Sequence, residues 1–256
     1  FSVGATYTLG GISMALLLGK GGVHSYWLGL LITLLILAAY GAINAFLHVK
    51  IGLPSFVATY SMSALTFGLL KNITNSTPIY NHSKWPDNFT FLGQTYLFGF
   101  LPLQSVLLIL ISVLVYIYIS RMRSGKYMFM VGANPIASRY MGIHVNRMKV
   151  IAFVLSSILS GFAGIVYSSM INGASAFLGE PMLMTALTIL MLGSVMKRGV
   201  YNVPGTILAG IILAMISNGM TLMGAPDWAD EVVQGIVLLI AVCSMSVIRI
   251  IGTSRI

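Results

Sequence analysis

The stretch SYWLGLLITLLILAAYGAINAFL, residues 25–47, contains no Asp, Glu, Lys or Arg. A helix needs about 20 mainly apolar residues to cross the hydrocarbon layer of a bilayer, so this stretch is long enough to span one. Backbone N–H and C=O groups in lipid must be paired within their own segment, which favours an α-helix. Residues 25–47 therefore predict a transmembrane helix.

The composition of the whole chain agrees with a membrane location. Of its 256 residues, 57% are hydrophobic and only 7% are charged, and the mean hydropathy is +0.94. Soluble domains carry about 25% charged residues. We predict an all-α fold, a polytopic transmembrane helical bundle in which residues 1–256 form a single domain. Because Phe1 already lies in an apolar segment, we expect native residues before it. The predicted spans are at least eight: about 1–19, 25–47, 53–70, 97–120, 150–172, 182–196, 203–223 and 232–250.

Charged residues are sorted between the loops. Residues 121–149 hold six Lys and Arg and no Asp or Glu, and the basic C-terminus is similar. Basic loops stay in the cytoplasm, so 121–149 and the C-terminus are predicted to be cytoplasmic and 71–95 to be an outer loop. This sorting disfavours nucleic-acid binding, which a net charge of +9 could otherwise suggest. All five carboxylates lie in other loops than the basic ones: Asp87, Glu180, Asp227, Asp230 and Glu231.

Residue types that support chemistry are scarce in the spans. No span contains a convincing ionisable residue, which argues strongly against a proton-driven carrier and less strongly against a sodium-driven one. The four histidines have no partners at zinc-ligand spacing: His24, His48, His82 and His144. No nucleophile motif or phosphate-binding loop stands out. We therefore predict no catalytic residue, no metal site, no cofactor in this chain and no enzyme activity.

Small residues recur at four-residue spacing in the segment 150–172. Ser160, Gly164 and Ser168 share one helix face, and Ser157 and Gly161 share another. Such faces let helices approach closely in lipid. Packing within the chain is favoured over a contact between subunits.

The segment GANPIASRYMGIHVNRMK, residues 132–149, is a polar island in this chain. Asn134 can cap a helix, Pro135 suits its first turn and Gly142 suits its end. The pattern predicts a short helix at about 135–141 within the 121–149 loop. A short exposed helix is not stable alone, so it needs a partner or, alternatively, an anionic membrane surface.

This segment resembles the cytoplasmic coupling loop of bacterial ABC importer permeases, through Gly132-x-Asn134-x-x-Ala137-Ser138-Arg139-x-x-Gly142-Ile143. The branch it resembles is that for ribose and other monosaccharides, which includes autoinducer uptake permeases. The resemblance covers essentially the whole chain except 71–95. It continues in Phe1–Gly4, Gly41–Asn44, Pro54–Thr59, Leu192–Gly193, Gly199, Pro204–Thr206 and Ser217–Gly219.

The resemblance implies a permease subunit in the bacterial inner membrane. Its implied partners are a second permease subunit, identical or homologous, two cytoplasmic ATP-binding subunits that bind the ATP, and an external solute-binding protein. The 132–143 segment would then dock on the ATPase. Six residues are predicted to make this contact: Gly132, Asn134, Ala137, Arg139, Gly142 and Ile143.

The solute pathway is predicted from neutral polar residues within apolar spans, namely Asn44, Thr59 and Asn218. Uncharged hydrogen-bonding groups suit a small uncharged polar solute, a monosaccharide or a related molecule. Hydrogen bonding between helices is an equally good interpretation of each residue. The alternatives are an ABC permease for nucleosides or branched-chain amino acids and, less favoured, a gradient-driven secondary carrier.

Overall fold

The computed structural model describes residues 1–19, 25–80, 85–97, 99–196 and 199–253. His24, His82 and the last three residues lie outside these ranges. The chain divides into two compact units, 1–180 and 181–256, and each is described by itself.

The first unit is mainly helical. Its helices are α1 (Val3–Gly19), α2 (Tyr26–Val49), α3 (Ser55–Ile73), α4 (Phe91–Gln94), α5 (Leu103–Arg121), α6 (Arg123–Ala133), α7 (Pro135–Tyr140) and α8 (Val145–Ile171). Residues Asp87–Thr90 form a 3-10 helix. The short strands among its described residues are β1 (Ile79–Tyr80), β2 (Tyr96–Leu97), β3 (Leu101–Pro102) and β4 (Gly173–Ala174). The second unit contains most of α9 (Gly179–Val195), with α10 (Val203–Leu222) and α11 (Asp227–Thr253).

The helices confirm the all-α membrane fold. Among the described residues, five helices are long and apolar enough to cross a membrane: α2, α5, α8, α10 and the 228–246 part of α11. The apolar helices α1 and α9 are shorter, at 17 residues each. Each of the eight predicted stretches contains a helix, and α3 is the most polar of them because Thr59, Ser63 and Thr66 lie on it.

Two sequence-based boundaries are wrong. The span predicted at 97–120 begins only at Leu103, because Tyr96–Leu97 (β2) pairs antiparallel with Leu101–Pro102 (β3), and Gly99 between them has a φ of +78°. Hydropathy alone cannot distinguish an apolar strand from the first turn of a helix. The span predicted at 150–172 begins earlier, at Val145, and segment 121–149 holds α6 in addition to the short helix predicted there.

The core of the first unit forms where α8 crosses α1 and α2. A Cβ atom on Gly164 would collide with the Tyr7 carbonyl oxygen, and one on Gly10 would collide with the backbone of Gly161. A Cβ on Gly41 of α2 would lie 2.8 Å from the Val154 Cα. The small residues of α8 therefore pack within the chain, as predicted. Buried side chains including Ile12, Met14, Leu37 and Ile165 fill the remaining space.

The segment 71–95 folds back onto the end of α8. Strand β1 pairs antiparallel with β4, with Ile79 opposite Ala174. The Ser169 hydroxyl donates to the Phe89 carbonyl oxygen at 2.6 Å and accepts from the Gly93 N–H at 2.9 Å. The described parts of segment 71–95 therefore pack beside the end of α8 and strand β4.

Candidate functional site: the coupling element and a buried polar cluster

Helix α6 is fixed tightly to the end of α5. The chain turns at Met122, and a Cβ on Gly125 would lie 2.6 Å from the Ile119 Cα and even closer to the Tyr118 carbonyl oxygen. On the inner side of α6, Val131 is buried against Ile143 and Val145. Helix α6 therefore connects the end of one span with the beginning of the next. We call α6, α7 and the first turn of α8 the coupling element.

Asn134 begins α7 in the way its sequence predicts. Its side-chain oxygen accepts hydrogen bonds from the N–H groups of Ile136 and Ala137, both at 3.0 Å, and Pro135 occupies the first turn. These bonds satisfy donors that a helix start leaves without partners. The observed helix at 135–140 confirms the short helix predicted at about 135–141. Ser138, within this helix, is buried, and its hydroxyl donates to the Asn134 carbonyl oxygen at 2.9 Å.

The end of α7 is a Schellman turn. Gly142 has a φ of +77°, a conformation that side chains disfavour. The Gly142 N–H donates to the Arg139 carbonyl oxygen and the Ile143 N–H to that of Ser138, both at 3.0 Å. Backbone groups at both ends of the six-residue helix α7 are therefore hydrogen-bonded, which stabilises this helix in the observed conformation.

The six predicted docking residues divide into two groups. Gly132, Asn134, Ala137, Arg139 and Gly142 are exposed. Ile143 is only 9% exposed and packs with Val131, Val145 and Met148 inside the coupling element. The structure thus gives Ile143 a packing role, and Asn134 a capping role, in addition to whatever each contributes to docking.

Sequence reasoning missed three exposed apolar side chains at the tip. Ile136, Tyr140 and Met141 are 71%, 89% and 63% exposed, respectively. The sequence signal that could have identified them is their spacing: Tyr140 and Met141 follow Ile136 by four and five positions in an otherwise polar segment. Beside them, Arg139, His144 and Arg147 line an open groove of about 570 Å³. The tip therefore combines apolar side chains with positive charge, a combination suited to protein contacts.

Of the predicted pathway residues, Asn44 lies in a buried polar cluster. It is 1% exposed, and its amide nitrogen donates to the Ser2 hydroxyl at 3.4 Å. Tyr40, one turn earlier on α2, is also buried and lies beside Asn44, Ser63 and Thr66. We call Ser2, Tyr40, Asn44, Ser63 and Thr66 the polar cluster.

Two atoms of the polar cluster make no well-formed hydrogen bond among the described residues: the Asn44 side-chain oxygen, and the Tyr40 hydroxyl, which lies close to Asn44, Ser63 and Thr66 without good bonding geometry. Buried polar groups are almost always paired, because leaving one unpaired costs about 1–3 kcal/mol. Two such atoms in one cluster indicate that the cluster can accept polar groups from a ligand or water.

The other two pathway residues differ from Asn44. Thr59 is buried, but its hydroxyl donates to the Ser55 carbonyl oxygen of its own helix at 2.8 Å. Asn218, in the second unit, is exposed on α10, with no side-chain hydrogen bond found within the described ranges. Ser63 and Thr66 of the polar cluster were not predicted. The sequence signal for them was that they follow Thr59 at four- and three-residue spacing, which places three hydroxyl residues on one side of α3.

Groups able to hold a metal ion are absent from the part of the chain that the structure describes: no three His, Cys, Asp or Glu side chains come together there.

Comparison with known proteins gives matches along most of the chain. A family model described as "Branched-chain amino acid transport system / permease component" matches residues 1–242. The autoinducer 2 import system permease protein LsrD of Klebsiella pneumoniae subsp. pneumoniae is 30% identical over 249 residues, 96% of this chain and 74% of the relative. The ribose import permease protein RbsC of Escherichia coli K12 is 27% identical over 214 residues, 80% of this chain and 64% of the relative. No solved structure matches.

Proposed function

Because the chain belongs to the branched-chain amino acid transport system / permease component family, we propose that it forms the pathway for a small uncharged polar solute, a monosaccharide or a related sugar-like molecule. The chain is a permease subunit of an ABC importer, a transport component rather than an enzyme, and a multi-pass protein of the inner membrane. Its relatives belong to the ribose and autoinducer branch.

Membership of an importer family implies an ATPase and a solute-binding protein as partners. We further propose two permease subunits, identical or homologous, two cytoplasmic ATP-binding subunits and one external binding protein. In this assembly the coupling element and the C-terminus face the cytoplasm, and segment 71–95 faces outward. The sorting of basic residues into 121–149 supports this orientation.

The observation that carries the proposed coupling is the rigid, exposed α7. Its cap at Asn134 and its turn at Gly142 fix its two ends. A displacement of α7 by a docked ATPase therefore moves the adjoining helices and does not unfold α7. The exposed Tyr140 and Arg139 are suited to contact an ATPase surface. ATP-driven closure of the ATPases moves α7, and the spans α5 and α8 carry the motion to the pathway. An ATPase state that contacts α7 differently shifts the equilibrium between pathway conformations.

The chemistry of the polar cluster supports an uncharged cargo. Its five side chains offer hydroxyl and amide groups and no ionised group. A charged solute would leave its charge without a counter-charge there, and burying an unpaired charge is costly. Hydroxyl groups of a sugar can both donate to the Asn44 oxygen and accept from Tyr40.

Crosslinking tests the coupling. Cys243 is the only cysteine in the sequence, so Cys243→Ser gives a background in which one new cysteine is labelled alone. With Ile136→Cys or Tyr140→Cys in that background, a short crosslinker should capture the ATPase subunit, whereas Leu108→Cys on the exposed side of α5 should not. Failure of both tip positions to capture an ATPase would overturn the proposed docking.

Uptake into vesicles tests the cargo. The permease, its ATPase and its binding protein are reconstituted, and uptake of labelled ribose is compared with that of a nucleoside and of leucine. ATP-dependent uptake of the sugar alone supports the proposal. Preferential uptake of the nucleoside or of leucine would mean that the proposed sugar cargo is wrong. Uptake without ATP would favour a secondary carrier.

A further inference from the structure

We propose that the exposed face of α6 is a binding surface for anionic phospholipid in the adjoining membrane leaflet. The surface comprises the large apolar residues Tyr127, Phe129 and Met130 and the basic residues Arg123 and Lys126, all of them exposed. We call these five residues the α6 face. The inference rests on the proposed function in naming the leaflet as cytoplasmic and in its effect on coupling, whereas the lipid binding itself does not.

The depth of α6 is set by its contact with α5. Because Gly125 lies directly against the backbone of Tyr118 and Ile119, the first turn of α6 lies beside the last turn of α5 and not below it. Helix α5 is an apolar span with no buried residue. The beginning of α6 is therefore at the boundary between the hydrocarbon layer and water.

The two sides of α6 differ in what they contact. Val131 and Gly125 are buried against the protein. Arg123, Lys126 and Met130 are spaced by three and four positions and so share the opposite, exposed side. A helix with large apolar and basic residues on its free side is typical of helices that lie in the membrane interface.

The basic residues of the α6 face have no acidic partner. Residues 121–149 contain no Asp or Glu, and among the described residues the ion pair joins Lys71 and Glu180, both remote from α6 in sequence. Arg121, at the end of α5, adds a further exposed cation. Anionic headgroups supply the missing negative charge, and each basic side chain near an anionic surface raises affinity about fivefold.

Lipid bound here would act on the coupling element. Val131 of α6 packs on Ile143 and Val145, the residues that join α7 to α8. Holding α6 at the interface therefore fixes the position from which α7 projects. The α6 face is thus a site where membrane composition adjusts coupling to the ATPase.

Quenching by brominated lipid tests the proposal. Phe129→Cys in the Cys243→Ser background is labelled with a bimane fluorophore and reconstituted in phosphatidylcholine vesicles. Part of the lipid is replaced with brominated phosphatidylglycerol or, at the same mole fraction, brominated phosphatidylcholine. Brominated lipid occupies both leaflets, so the result does not depend on orientation or on transport activity.

The expected result is an association constant about 25-fold higher for the glycerol lipid than for the choline lipid, about fivefold for each of Arg123 and Lys126. Arg123→Gln with Lys126→Gln should bring the ratio close to one. The control pair Lys50→Gln with Arg147→Gln removes equal charge from exposed positions outside α6 and should keep the preference. Equal quenching by both lipids would overturn the proposal. Quenching that disappears when the ATPase is bound would also overturn it, because the ATPase would then cover the α6 face.

Discussion

His48 Nε2 lies 3.1 Å from Lys149 Nζ, so the end of α2 is joined to the first turns of α8. His48 Nδ1 lies 2.8 Å from the Leu53 carbonyl oxygen, which can only accept, so Nδ1 carries the hydrogen and Nε2 accepts from the ammonium group. The contact therefore links α8, just after the coupling element, to α2, the helix that carries Tyr40 and Asn44 of the polar cluster.

Removal of either partner should weaken this connection. Lys149→Ala and His48→Ala should each lower the free energy of unfolding, and a double-mutant cycle should give a coupling energy of about 1 kcal/mol, typical of a partly buried hydrogen bond. Thermal unfolding in detergent measures it. Lys50→Ala, an exposed neighbour with no side-chain hydrogen bond within the described residues, should be close to neutral. Fully additive effects of the two substitutions would contradict the contact.

Gly164 and Gly68 provide a matched pair for the packing of the helices. A Cβ on Gly164 would collide with the Tyr7 backbone, whereas a Cβ on Gly68 of α3 would have nothing within 4 Å. Gly164→Ala should force α1 and α8 apart and destabilise the protein by about 1–3 kcal/mol or more. Gly68→Ala should be neutral or slightly stabilising, because alanine is the better helix former. Equal melting temperatures for the two variants would contradict the close approach.

Local features of the coupling element were predictable from the sequence. A cap at Asn134, a proline at 135 and a glycine turn at 142 act within a few residues, so α7 could be placed to within one residue. Helix α6 was missed because its stability comes from contacts with α5 and α8, which no local pattern reveals. The burial of Ile143 was missed for the same reason.

The fold was predictable to the level of its helices. Long apolar runs identify the spans, whereas the assignment of basic loops to the cytoplasmic side stays a prediction. The pairing of β2 with β3 was missed because these strands are as apolar as the helix that follows. The polar cluster was only partly predicted: Asn44 stood out as an amide in an apolar span, but its neighbours Ser63 and Thr66 are joined to it only by the packing of α2 on α3.

The cap of α7 should matter for coupling more than for overall folding. Asn134→Ala removes the acceptor for two N–H groups and should cost α7 about 1 kcal/mol. The expected result is reduced stimulation of the ATPase by solute-loaded binding protein, with unchanged expression and melting of the permease. Asn134→Ser or Asn134→Asp, which retain a capping oxygen, should restore it. A loss that Asp and Ser do not repair would assign Asn134 to direct docking.

Charge reversal at Arg139 tests the docking surface. Arg139 is exposed, so Arg139→Glu should leave folding and membrane insertion intact while the permease loses coupled ATP hydrolysis and transport. The reason is that a carboxylate would repel the acidic groups that a guanidinium binds. Arg139→Lys should retain part of the activity. Unchanged ATP-driven uptake by Arg139→Glu would count heavily against docking through α7.

Tyr40 and Tyr26 separate a pathway role from a structural one. Both are buried tyrosines on α2 whose hydroxyl groups make no well-formed hydrogen bond among the described residues, but Tyr40 lies in the polar cluster and Tyr26 in the apolar core. Removing an unpaired buried hydroxyl should leave stability unchanged or raise it, so neither Tyr40→Phe nor Tyr26→Phe should lower the melting temperature. If the solute uses the Tyr40 hydroxyl during passage, Tyr40→Phe should reduce ATP-dependent uptake several-fold, because a hydrogen bond to the solute is lost, and Tyr26→Phe should not. Equal uptake by the two variants would mean that the polar cluster serves helix packing and that the solute passes elsewhere.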